Sequence, residues 1–348
     1  MITLYDRFTV IIPEHNRPEH LERLLAYYLS FGIKIIVADS SDKFFSHISN
    51  YENKIEYKHT PKKALAEKIR EITNLISTPY VFMCANDDFI IPDTVNRVID
   101  FLEENPAYNS GQGIYIDFCY KNGTIMNSLR YRHMIGENIS ECNPSKRIMH
   151  LMSNYFQYYY CVYRTETFNR IYESVIHKDR TVIHNLNLLE LYISLYPVIE
   201  GKHIVLPLLY SARENISNSI GNTADDIAEV ISKKKYQTEY NDFITLLSSH
   251  LLETEHLTFH EAKDVIEKAV VYYMDYWFPQ YFLFKRKVRR FIIFFFKKLR
   301  LYQLILKIRK KRAVVESSVD ALYPFNEQDI EHWNIIKNFI MQYKNIYR

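Results

Sequence analysis

Along the first hundred residues the apolar positions switch repeatedly between a strand-like and a helical period. Phe8-Thr-Val-Ile-Ile12 is a short run rich in β-branched residues, as a buried parallel strand requires, and Pro13 marks its expected end. Asn16 then stands as a helix cap with Pro18 and Glu19 behind it, and Leu21, Leu24, Leu25 and Tyr28 form one apolar face. Gly32 closes that helix. Ile33 to Ala38 makes a second strand ending at Asp39, and a weaker third strand runs from Lys54 to Lys58. Thr60-Pro61 opens a helix carrying Leu65, Ile69, Ile72 and Leu75, and Tyr80 to Cys84 is a fourth strand that delivers Asn86-Asp87-Asp88 at its end. Pro92 starts another helix, to about Asn105.

Strands alternating with helices through short loops predict a parallel sheet with right-handed crossovers, whose ligands bind at the carboxyl ends of the strands. Three polar clusters arrive there: Glu14 to Arg17, Asp39 to Asp42, and Asn86 to Asp88. From about Gln112 the pattern changes. Ile114 to Cys119 and Ile125 to Leu129 flank Lys121-Asn122-Gly123, a hairpin with an Asn-Gly turn. A helix from about Pro144, a Tyr-rich strand from Tyr158 to Tyr163, a helix from Leu186 to Tyr196 and a strand from His203 to Tyr210 follow. Residues 215–225 are polar and irregular, and everything beyond reads as helix. The expected division is an α/β catalytic domain over 1–222 and a helical region over 223–348.

Composition narrows the class. With 47% hydrophobic and 24% charged residues the 348-residue chain is globular, and only 7 Gly with no GxGxxG or P-loop pattern disfavours a Gly-rich phosphate cradle. Cys84, Cys119, Cys142 and Cys161 form no CxxC pair, which fits a reducing cytosol. The start, Met1 to Arg7, carries Asp6 and no secretory signal, and no apolar run reaches the roughly 20 residues that span a bilayer.

Phe8-Thr-Val-Ile-Ile-Pro-Glu-His-Asn-Arg-Pro-Glu-His-Leu21 resembles the opening of family 2 glycosyltransferases. Val37-Ala-Asp-Ser-Ser41 is similar to their second-strand acid, and Thr78-Pro-Tyr-Val-Phe-Met-Cys-Ala-Asn-Asp-Asp-Phe89 to the strand with their DXD motif. The segments around Ser145 to Arg164 and Glu200 to Glu214 look like later elements of a bacterial subfamily that builds surface polysaccharide or glycolipid. The resemblance covers about residues 5–220 and implies a GT-A fold: an α/β mixed sheet flanked by helices. It implies that Asp88 contacts Mg²⁺ or Mn²⁺, with Asn86 in place of the first acid. It implies that Asp39 meets the base or ribose, that Pro13 and Glu14 line the base pocket, and that Arg17 and Lys68 approach phosphate.

The chemistry of these residue types agrees. A nucleoside-diphosphate sugar leaves as a charged diphosphate, and a hard divalent ion held by Asp87 and Asp88 would neutralise it. A solvated acid pair, an Asx turn at Asp39 and a solvated face for Lys62, Lys63 and Lys68 are the plainer alternatives. The reaction also needs a base for the acceptor hydroxyl. Glu190 shares a helix face with Leu186 and Ile193, where partial burial raises a carboxyl pKa, and Asp179 and Glu200 stand behind it. His177, His184 and His203 lack metal-ligand spacing and read as structural or solvated.

The stretch from Tyr276 to Val315 has no acidic residue and thirteen basic ones, interleaved with Phe282, Phe284, Phe291, Phe294 and Phe295. That pattern suits an interfacial anchor on anionic lipid, with a packed helix pair or a homo-oligomer contact as alternatives; no nucleic-acid recognition fold accompanies the charge. The expectation is an inverting, metal-dependent glycosyltransferase. It would be cytoplasmic and peripheral on the inner face of the membrane, acting on a glycan or lipid-linked glycan. A non-catalytic scaffold with a degenerate site, motivated by Asn86, and a phospho-polyol transferase are the rivals.

Overall fold

The computed structural model describes residues 3–177, 180–215, 225, 227–277 and 319–347. Its strands are β1 (Phe8–Glu14), β2 (Lys34–Asp39), β3 (Glu56–His59), β4 (Tyr80–Met83), β5 (Phe89–Ile90), β6 (Tyr108–Lys121), β7 (Thr124–Arg130), β8 (Asn138–Ile139), β9 (Val162–Arg164), β10 (Ile176–His177), β11 (Arg180–Thr181) and β12 (Lys202–Glu214). The main sheet runs β3-β2-β1-β4-β9-β6-β12-β5, with β7 on β6 and β8 on β12. Its first half, β3-β2-β1-β4, is parallel as the strand–helix alternation predicts. The sheet becomes mixed where β9 runs antiparallel to both β4 and β6, while β12 and β6 are again parallel. Helices Pro18–Leu29, Leu65–Arg70, Pro92–Glu104, Thr165–Ser174 and Leu186–Glu200 flank it.

Several local expectations are corrected. β1 continues through Pro13 to Glu14 on β2, because β4 pairing ends earlier, at Ile11 opposite Met83. Asn16 does not cap the first helix: it turns at φ 54° and its side chain accepts from the Asp42 N–H, while Glu14 accepts from the N–H of Arg17, the true N-cap. The helix expected through Leu75 stops at Arg70, followed by a separate 3₁₀ turn at Thr73–Leu75. The Tyr-rich segment is strand only from Val162; Tyr158 to Cys161 form a turn closed by the Cys161 N–H on the Tyr158 carbonyl. The Asn122-Gly123 turn is as expected, with φ of 52° and 81°.

Beyond residue 226 the described chain is helical: Ile227–Ser232, Gln237–Glu255, Phe259–Trp277 and Glu327–Gln342. The last of these lies on the sheet. Trp333 is buried against Phe118, the Phe339 ring meets Tyr27 edge-on at 5.4 Å, and Asp329 accepts the N–H of Leu209 in β12. The boundary expected at 222/223 and the basic stretch after Trp277 lie outside the described residues. Among the described residues no helix is long and apolar enough to cross a membrane.

Candidate active site

The carboxyl ends of β1, β2 and β4 open onto a cleft of ≈ 510 Å³. Of the residues singled out from sequence, Pro13, Arg17, Lys68, Asn86, Asp87, Asp88 and Glu190 line it. Glu14 and Asp39 do not reach its surface. Glu14 is 2% exposed and accepts from the Arg17 N–H and the Asn86 side-chain amide. Burial lifts its pKa, against those bonds. This explains Asn86: an acid there would face the Glu14 carboxyl, whereas an amide donates to it. The Asn is a fitted partner and not by itself a sign of a degenerate site. Asp39 is buried beneath the cleft, with Oδ1 accepting from the Ser41 N–H and Oδ2 from the Tyr57 hydroxyl.

Lys68 is 4% exposed and donates to the Glu14 carbonyl at 2.6 Å and to Ser40 Oγ at 3.1 Å. Burial pulls its pKa down to about 8, against Glu14 and Asp39. It therefore ties the end of β1 to the residue that follows β2, with one of its three N–H donors left over. Lys62 and Lys63 also border the cleft, Lys63 paired with Glu71. Arg17 holds Asp87 at 2.7 Å on the cleft wall.

Asp88 is 2% exposed. Its Oδ1 accepts the Glu214 N–H at 2.9 Å and its Oδ2 meets Arg213 Nε at 3.3 Å. Burial, then the charge of Asp87, pushes its pKa up to about 7, with Arg213 opposing. Arg213 also donates to Gln157 and lies over the Tyr160 ring at 5.5 Å. Arg213, Glu214, Gln157, Tyr159 and Tyr160 all line the cleft, and no role was read for them from sequence. Arg213-Glu214 lies in a segment whose family resemblance assigns it no task, and the tyrosines lie inside an expected strand.

Among the described residues no three His, Cys, Asp or Glu side chains gather to hold a metal alone. Mg²⁺ is commonly held by one or two carboxylates together with substrate phosphates. Asp87 and Asp88 both line the cleft and would hold such an ion together with phosphate oxygens, in competition with Arg17 on Asp87 and with Arg213 and the Glu214 N–H on Asp88.

Glu190 stands on the Leu186–Glu200 helix, half-buried, and lines the same cleft. Its Oε1 accepts from the Tyr155 hydroxyl at 3.1 Å. Burial raises its pKa, against the charge of Arg213, the Tyr155 bond and Arg130. The helix is clamped at both ends. Asn185 Oδ1 accepts the N–H groups of Asn187 and Leu188, and Glu239 accepts those of His184 and Asn185. At the far end Arg147 donates to the carbonyls of Glu141, Cys142, Val198 and Ile199. Glu200, the reserve candidate for base, is bound by Arg170 through both oxygens at 2.8 Å and does not line the cleft. Asp179 and the His177 side chain lie outside the described residues. His203 is buried on Ser110, whereas His184 is exposed at the cleft rim.

The Glycosyl transferase family 2 profile matches residues 9–162. No curated protein sequence is similar to the chain at a significant level. Among solved structures, S. aureus TarS 1-349 in complex with UDP-GlcNAc aligns with 98% of this chain and 90% of its own, at 13% identity and a TM-score of 0.54. TarS 1-349 alone aligns with 79% of this chain and 73% of its own, at 12% identity and a TM-score of 0.52. Against the longer TarS structure the match covers 77% of this chain but only 43% of that one, at 13% identity and a TM-score of 0.51. Likeness at such identity is likeness of fold. Residues 9–162 thus match the family 2 glycosyltransferase profile, and the chain has the GT-A-like fold, a mixed sheet flanked by helices.

Proposed function

We propose that the chain transfers a sugar, with inversion, from a nucleoside-diphosphate sugar to a hydroxyl of a glycan or lipid-linked glycan. The observation that carries this is Glu190. It is a half-buried carboxylate of raised pKa whose side chain bonds one hydroxyl, and it lines the same cleft as Asp87 and Asp88. Glu190 takes the acceptor hydroxyl proton, and the freed oxygen lone pair forms the new bond to the anomeric carbon. The bond from that carbon to the diphosphate oxygen breaks, and its electron pair leaves with the diphosphate. Arg17 and Arg213 border the space where that charge develops. Asp87 and Asp88 would hold Mg²⁺ or Mn²⁺, which supplies further neutralising charge. The UDP-GlcNAc named for TarS supports a uridine diphosphate donor. In this reading residues 1–222 are the catalytic domain and 223–348 a helical region.

Calorimetric titration of UDP tests the donor site. Affinity is expected to be at least about tenfold weaker with a chelator than with Mn²⁺, a change of roughly 1.4 kcal/mol. Equal affinity in both conditions would remove the metal from the reading. Failure of UDP to bind at all would remove the uridine donor.

The basic, Phe-interleaved sequence from Tyr276 to Val315 supports attachment to the cytoplasmic face of an anionic membrane. Co-sedimentation with vesicles should rise with anionic lipid fraction and weaken between about 0.1 M and 1 M salt, as the Debye length falls from about 10 to 3 Å. If the protein stays in the supernatant at low salt, the stretch serves packing or oligomerisation instead.

A further inference from the structure

Arg23 lies one turn into the Pro18–Leu29 helix and is 0% exposed. A buried guanidinium is costly unless its donors are met. Here the two terminal nitrogens find partners behind the acid loop, while Nε has none among the described residues. Nη2 donates to the carbonyl of Asp87 at 2.7 Å and to that of Asn86 at 3.3 Å. Nη1 donates to Glu214 at 3.1 Å and to the Tyr347 hydroxyl. The guanidinium carbon lies 4.7 Å from the Phe89 ring centroid, just past the loop. Glu214 in turn gives its N–H to Asp88. The loop is thus gripped through its carbonyls from behind while its carboxylates front the cleft. Tyr347 comes from the Lys344–Tyr347 turn, held by its ring against Tyr120 at 5.1 Å.

We propose that Arg23, braced by Glu214 and Tyr347, is a positioning residue that sets the aim of Asp87 and Asp88, so that the turn at 344–347 is a working part of the donor site. The carbonyls of Asn86 and Asp87 share one nitrogen of Arg23, and its other nitrogen serves Glu214 and Tyr347. A lysine keeps the charge but, as a single point donor, cannot span that fork. A phenylalanine at 347 keeps the ring and removes only the hydroxyl acceptor. The proposal rests on the donor reading only for its nucleotide arm.

The test uses the full chain with Arg23→Lys, Arg23→Met and Tyr347→Phe, in two measurements. In amide hydrogen exchange without ligand, residues 85–89 should exchange about tenfold faster in Arg23→Lys, with β4 (80–83) keeping its protection. General loosening would raise both segments together. In calorimetry with UDP and Mn²⁺, Arg23→Lys should bind about tenfold more weakly and Tyr347→Phe about threefold, with Arg23→Met weaker than Arg23→Lys. Wild-type exchange at 85–89 in both Arg23→Lys and Tyr347→Phe would overturn the proposal, whatever Arg23→Met does to folding. If the wild type binds no UDP, the donor reading falls, and the exchange arm still decides the role of Arg23.

Discussion

Replacing Glu190 by Gln is expected to lower sugar transfer about 10²–10⁴-fold, the usual contribution of a positioned general base. UDP affinity should stay within about twofold, because the base acts on the acceptor and not on the donor. The amide oxygen can still accept from Tyr155, so the wall keeps its shape. The substitution should not weaken the fold. The Glu190 pKa is raised in the folded state, so its contribution to stability is fully present below the unfolded pKa and is lost as pH rises through the folded one. A neutral Gln escapes that loss at neutral pH. The same shift gives the rate profile its sign: turnover should fall as pH drops through a value above the usual glutamate range, and Glu190→Gln should lose that limb. Near-normal turnover in the variant would move the role to Asp179, since Glu200 is already held by Arg170.

Trp333→Ala is expected to cost about 3–5 kcal/mol in denaturant unfolding. Trp333 is 1% exposed between the Glu327–Gln342 helix and the sheet, tilted against Phe118 at 6.4 Å. Its Nε1 has no hydrogen-bond partner among the described residues, so the loss is packing and cavity, with no bond broken. The chain has only 2 Trp, and Trp277 is 38% exposed. Trp277→Ala is therefore the milder comparison: it gives up an edge contact with Tyr131 and should cost clearly less than Trp333→Ala. A loss below about 1 kcal/mol for Trp333→Ala would show that the helix adds little to the sheet it covers.

The parallel half of the sheet was legible because its signals are local. β-branched runs end at Pro13, Asp39 and the Asn86–Asp88 loop, and the intervening helices carry one apolar face each. The helix that carries Glu190 into the cleft lining was legible for a similar reason, with a carboxylate set among leucines at helical spacing. What escaped depends on distance along the chain. The Asp88–Arg213 pair spans 125 positions, and the Glu14–Asn86 bond spans 72, so neither leaves a local pattern. Asn86 looked like a lost acid until its partner was known. Tyr158 to Tyr160 misled in another way. Tyrosine favours strands, but here the rings pack into the interior and the cleft wall, and tertiary packing overrides the propensity.

The Arg147 clamp bears on how this fold can drift in sequence. All four of its bonds end on main-chain carbonyls, at Glu141, Cys142, Val198 and Ile199. Every amino acid offers the same carbonyl, so the side chains at those four positions can be exchanged without unpairing the buried guanidinium. The far end of the Leu186–Glu200 helix is thus anchored by one residue identity where a side-chain network would demand several. Sequence can diverge around such an anchor while the geometry persists.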